Sequence, residues 1–215
     1  MARKSVIRFW CCAVVLLVWG SRAHALGVLD QKLDLKTIEK MAATGQVIHL
    51  EYKGGVLQYR MVCTLIDAPL DKVWKALTDF ENYHKFTPEM MPPKVTKISS
   101  TEFRADFTLQ IEIYGPLKTT QKYSVQYNLE KPVLYMHDPK GPRPPRNKAN
   151  FWKLAPAGNG KKTLVFYFDK APDLKDLGSF VHGIVKDRPE LALALQVSPV
   201  SIQVQELKKY VEKKK

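Results

Sequence analysis

Outside its first 25 residues, the side chains of this 215-residue chain best able to hold a metal, attack as a nucleophile or move a proton are Cys63, His49, His84, His137 and His182. They are scattered. No pair stands at a zinc-ligand spacing, and no Ser-His-Asp, Cys-His or glycine-rich phosphate arrangement occurs at an informative interval. His137 and Asp138 are adjacent and could exchange a proton. Neighbours in a strand point to opposite faces, however, which keeps such a pair from converging on one substrate. Cys63 sits in an apolar strand pattern and reads as a small buried hydrophobe. No catalytic residue, metal site or cofactor is therefore expected. Two polar features remain: the hydroxyls of Tyr123 and Tyr127 on an otherwise apolar strand face, which need partners if buried, and the basic, proline-stiffened run from Pro139 to Lys148.

The chain's ends limit where this chemistry operates. Arg3, Lys4 and Arg8 precede an uncharged apolar run from Phe9 to Trp19, and Ala23-His24-Ala25 follows with small residues at a cleavage spacing. That order predicts a secretory signal over residues 1–25, cut after Ala25. The run is about half of the ~20 residues that a membrane-crossing helix needs. Cys11 and Cys12 lack the small-residue approach of a lipid-anchored signal. Cleavage takes away Arg3, Lys4, Arg8 and Arg22 but no acid, so 34 basic residues become 30 against 21 acidic ones and the formal charge falls from +13 to +9. One cysteine then remains, no internal disulfide can form, and the domain must be stable by packing alone. The expected destination is the periplasm or the medium, which argues against nucleic acid as a partner.

The pattern along the rest of the chain supplies the elements. Leu29, Leu33, Leu35, Ile38 and Met41 suggest a leading helix over 28–44. From Val47 the period changes to two, with Gly54-Gly55 breaking a hairpin whose second strand runs from Val56 to Ile66. Leu70, Val73, Trp74 and Leu77 are spaced for a helix, and a further helical turn is expected around Asn82 to Phe86. Strands are predicted at Lys94–Ser100, Glu102–Tyr114, Leu117–Leu129, Val133–Asp138, Ala149–Leu154 and Lys162–Asp169. In the second of these, Phe103, Ala105, Phe107, Leu109, Ile111 and Ile113 alternate with polar residues, and Tyr123, Val125, Tyr127 and Leu129 repeat the device next door. The two make a one-sided antiparallel sheet. Leu193, Val197, Val200, Val204, Leu207 and Val211 form the stripe of an amphipathic helix to cover it, kinked by Pro199.

A strand, Ala68-Pro69, a helix with Val73-Trp74 and Leu77-Thr78-Asp79-Phe80, then Asn82-Tyr83, Phe86 and Pro88 resembles the opening of START-like domains. The branch grouped with polyketide cyclases and coenzyme Q-binding proteins is the best match. Phe151-Trp152-Lys153-Leu154 before a glycine hairpin, and the long closing helix, extend the resemblance over Val56 to Lys213. It implies an α+β helix-grip fold: a curved antiparallel sheet wrapped around a long C-terminal helix, enclosing a cavity for a lipid, quinone or other apolar ligand. The implied organisation is a signal at 1–25, a leader helix and extra strand at 26–55, and the START-like domain at 56–215.

On that resemblance the ligand would touch Trp74, Tyr83 and Phe86 at the closing helices. Phe107, Leu109, Ile111, Tyr123, Val125 and Tyr127 would face it from the two central strands. Tyr135, Trp152, Leu191 and Leu195 would complete the wall. The first functional reading is an exported, monomeric, non-enzymatic carrier of an apolar molecule. A transient contact with anionic membrane through Lys140, Arg143, Arg146 and Lys148 goes with it. The alternatives are a cyclase or dehydratase using Tyr123, Tyr135 or His137, and a solidly packed protein-interaction module.

Overall fold

The computed structural model describes residues 34–114, 117–140, 150–171 and 188–213. The expected signal, Cys11, Cys12, His182 and the basic residues Arg143, Arg146 and Lys148 lie outside them. Helix α1 (Leu35–Thr44) begins at Asp34, whose carboxylate accepts hydrogen bonds from the amides of Lys36 and Thr37 at 3.1 and 3.3 Å. This side-chain cap satisfies amides that a helix start leaves without partners. Strands β1 (Val47–Lys53) and β2 (Val56–Ile66) form the expected hairpin. Gly54 and Gly55 both have positive φ, 58° and 78°, the tight-turn geometry that glycine supplies without steric cost.

Helix α2 (Leu70–Thr78) follows and buries Val73 and Leu77. The next turn is 3-10 in type and spans Phe80–Lys85, two residues earlier than its spacing suggested, because Phe80 and Tyr83 are the side chains it drives inward. The remaining strands are β3 (Lys94–Lys97), β4 (Glu102–Tyr114), β5 (Leu117–Glu130), β6 (Val133–His137), β7 (Phe151–Ala157) and β8 (Lys162–Lys170). All eight join one antiparallel sheet in the order β1-β2-β8-β7-β6-β5-β4-β3.

Strand β4 and its partner β5 are one-sided as expected. Ala105, Phe107 and Tyr127 are buried, while Arg104 and Ser124 hydrogen-bond Asp106 on the outer face at 3.0 and 2.5 Å. Strands β2, β7 and β8 are not one-sided. Val62, Trp152, Leu154 and Val165 are buried on the inner face, and Met61, Cys63, Phe151, Leu164, Phe166 and Phe168 are buried on the other. Burial pushes the Cys63 thiol up to about 12, so it stays neutral and behaves as the small hydrophobe its position suggested.

The closing helix α3 (Pro189–Lys213) lies against β2 and buries Val200, Val204, Leu207 and Val211 in the inner-face core. Its first half departs from the expected stripe. The buried positions continue backward to Gln196, four residues before Val200, so Leu193 and Val197 fall off the core-facing line. Leu191, Leu193 and Leu195 are 39%, 40% and 42% exposed, which corrects the expectation that Leu191 and Leu195 line a closed cavity. The helical span runs through Pro199, whose ring deprives the Leu195 carbonyl of its donor. Lys208 Nζ donates to the Leu65 carbonyl, and Glu212 accepts from the Asp67 amide at 2.8 Å. Ser201 and Gln46 also hydrogen-bond each other, tying the middle of the helix to the start of β1.

Candidate ligand site

The site follows from unequal strand lengths. β6 pairs with β5 between Gln126 and Glu130 and stops at His137, whereas β5 runs on to Leu117 with β4 as its partner. β7 begins at Phe151. The sheet therefore parts beyond Gln126, and a pocket of about 220 Å³ occupies the parting. Val125, Met136 and Tyr167 line it from the inner face, and Ser124, His137, Asp138 and Asn150 supply its polar wall. Drug-sized ligands fill sites of roughly 300–1,000 Å³. A pocket of this size takes one end of such a molecule or a short chain.

Beneath the pocket lies a buried polar array that no sequence motif announced. Tyr167 packs its ring edge-on against Trp152, centroids 4.6 Å apart, and its hydroxyl donates to Asp169 Oδ2 at 3.3 Å. Asp169 in turn accepts two hydrogen bonds from Arg60, from Nε to Oδ1 and from Nη2 to Oδ2, each 2.6 Å. Arg60 and Asp169 are directly paired across β2 and β8, and both are 7% exposed. Their registers put them on the inner face with Val62 and Tyr167. Burial pushes the Asp169 carboxyl up, against the opposing pull of Arg60 and Tyr167. Burial likewise raises the phenols of Tyr167 and Tyr127 well above their ordinary range, so both are protonated donors near neutral pH. The phenols of Tyr83, Tyr123 and Tyr167 stand close enough to oppose ionisation of Tyr127 further. Among the described residues, the Tyr127 hydroxyl makes no hydrogen bond. The buried Trp152 indole N–H has no hydrogen-bond partner either.

The expected site residues divide. Val125 lines the pocket; Tyr123 does not, being 41% exposed with its ring against Phe107, though its phenol opposes ionisation of Tyr127 and Tyr167. Trp152 lies one ring deeper. Tyr83, Phe86, Phe107 and Tyr127 belong to a filled aromatic cluster: Phe80 stacks on Tyr127 at 4.3 Å, and Tyr83 lies 4.9 Å from Phe86 and 6.1 Å from Phe107. The Tyr83 hydroxyl donates to the Leu77 carbonyl at 2.5 Å, so it is already satisfied. Trp74 and Leu109 are half-buried against the same core. Ile111 lies on β4 opposite Thr119, and its side chain is outside the described set. Tyr135 does not join the site: one residue out of phase with Leu134 and Met136, it turns to the outer face, 6.2 Å from Phe151. His137 does line the pocket, with its ring buried. The adjacent amide of Lys140 donates to Asp138 at 2.7 Å, which fixes the start of the basic run at the rim. Among the described residues, no cluster of three His, Cys, Asp or Glu could hold a metal, and no helix is long and apolar enough to cross a membrane.

Sheet and closing helix together have the START-like, helix-grip fold. Residues 66–167 match the family described as polyketide cyclase / dehydrase and lipid transport. Solved structures agree on the fold. A STAR-related lipid transfer protein from Xanthomonas axonopodis is 15% identical over 78% of this chain and 93% of its own, with a TM-score of 0.53. A protein from Thermus thermophilus is 14% identical over 70% and 94%, with a TM-score of 0.52. The Zhui aromatase/cyclase of Streptomyces sp. R1128 is 12% identical over 78% and 93%, with a TM-score of 0.50. No curated protein matches the chain in sequence.

Proposed function

We propose that this protein binds an apolar molecule in the parted sheet, without transforming it, and carries it outside the cytoplasm after losing residues 1–25. The supporting observation is the pocket itself, whose Val125, Met136 and Tyr167 wall is apolar while Ser124, His137, Asp138 and Asn150 ring it with polar groups. Such a site holds an amphipathic molecule by one end. The protein acts as a monomer, and Lys140, Arg143, Arg146 and Lys148 bring it transiently to anionic membrane. Native mass spectrometry of the purified protein, before and after organic extraction, tests the reading. The expected result is an extra mass that extraction removes and an apolar probe restores. A protein that arrives empty and takes up no apolar probe would overturn it.

A cyclase- or dehydratase-type reading draws support from one observation, that His137 and Tyr167 line the same pocket. Against it, a general base works best with a pKa near the operating pH. The buried tyrosines are held far above that range. If it is correct, His137→Asn abolishes turnover of a poly-β-ketone substrate while leaving its binding intact.

A further inference from the structure

We propose that Arg60, held in place by Asp169, anchors the ligand beside Tyr167 and selects an uncharged molecule that presents a hydrogen-bond-accepting oxygen, such as a ketone or ester carbonyl, at the end of an apolar chain. This rests on the container reading above and names its ligand class.

A guanidinium carries five N–H groups. Asp169 takes the Nε–H and one Nη2–H. Among the described residues the other three make no hydrogen bond, although Arg60 is only 7% exposed. Nearby, the Trp152 N–H is buried without an acceptor and the Tyr127 hydroxyl is unengaged. Buried donors in native proteins are nearly always paired. These surplus donors stand behind Tyr167, the member of the array that lines the pocket, and their complement is an acceptor oxygen reaching past it. Charge decides which kind. Asp169 already neutralises Arg60, so an entering carboxylate would lose its hydration without meeting net positive charge, and it would approach Asp169 itself. A neutral carbonyl avoids both costs. Both members of the pair lie just outside residues 66–167, so the segment shared with the family does not contain them.

The test uses the delipidated protein and the apolar fluorophore N-phenyl-1-naphthylamine, displaced in turn by decane, 2-decanone and decanoate at neutral pH. The ketone should displace the dye at about tenfold lower concentration than decane, as expected for a buried hydrogen bond from a charged donor. Decanoate should do no better than decane. In Arg60→Met/Asp169→Leu, an apolar replacement of the whole pair that such sites tolerate, dye binding should persist and the ketone preference disappear. Equal displacement by all three compounds, a decanoate preference, or a ketone preference surviving in the double variant each overturns the anchor while leaving the container intact. A wild-type protein that binds neither dye nor any of the three compounds overturns the container, and the anchor with it.

Discussion

Around Tyr83 the inner face is filled with rings: Phe80, Phe86, Phe107 and Tyr127 lie 4.3 to 6.4 Å from one another or from Tyr83, and the Tyr83 hydroxyl at the centre is bonded to Leu77. Around Tyr167 the same face holds a pocket, an ion pair and unengaged donors. Both regions are built from aromatic residues at alternate strand positions. The difference is what lies over them. The 3-10 turn drops Phe80 and Tyr83 onto β4 and β5, so that end packs solid. At the other end β6 stops short and the sheet parts. Aromatic alternation alone therefore does not distinguish wall from core; the covering element does.

The sharpest way to break this contrast is to truncate one ring at the packed end and one side chain at the pocket. Phe107→Ala should cost about 3–5 kcal/mol in urea unfolding, the close-packed value, because Phe107 is 2% exposed between Tyr83, Tyr123 and Tyr127. Val125→Ala should cost under about 1.5 kcal/mol, since one of its sides already faces space. Comparable losses at both positions would erase the distinction. This reverses the outcome that a purely cavity-lining Phe107 would give.

Arg60→Met alone should cost about 3–5 kcal/mol by stranding a buried carboxylate, whereas Arg60→Met/Asp169→Leu should remain near wild type. A single variant as stable as the double would mean that Asp169 reaches water. At the packed end, Tyr83→Phe should lose about 1 kcal/mol, the net worth of one hydrogen bond, with dye binding unchanged.

The smallest effect lies on β1, away from both regions. Burial lowers the pKa of His49 below its usual 6.5, opposed by Glu51. The native state thus favours the neutral ring, so its contribution to stability is present above about pH 6.5 and is lost as pH falls through the folded value. Comparing unfolding midpoints at pH 7.5 and 5.5 should show a smaller decline for His49→Gln than for wild type; equal declines would assign the effect elsewhere.

Most of this architecture was legible in the chain. The period-two runs marked β4 and β5 because one face is wet, and Gly54-Gly55 marked the hairpin because only glycine enters that turn cheaply. The Asp-Phe-Glu-Asn-Tyr segment and the family resemblance carried the grip. Two things were not legible. Arg60 and Asp169 each read as an ordinary polar residue in an apolar strand; their pairing depends on a register between strands 109 residues apart. The one available hint was that each shares its alternation phase with inward-facing neighbours, Val62 and Tyr167. The first half of α3 misled for a different reason. A hydrophobicity pattern prefers Leu193 to Gln196, yet the buried line through Val200 and Val204 passes through the glutamine.

The pairing of β2 with β8 has a consequence for how the molecule comes into being. Nearly the whole domain lies between these strands, so joining them closes the longest loop in the sheet, and the chain entropy lost must be spent before that contact returns anything. Arg60 emerges early in synthesis and waits, solvated, until Asp169 arrives on the last strand. The anchor consequently cannot exist in any partial product that lacks β8. A chain able to grasp its ligand is one whose sheet has closed between β2 and β8.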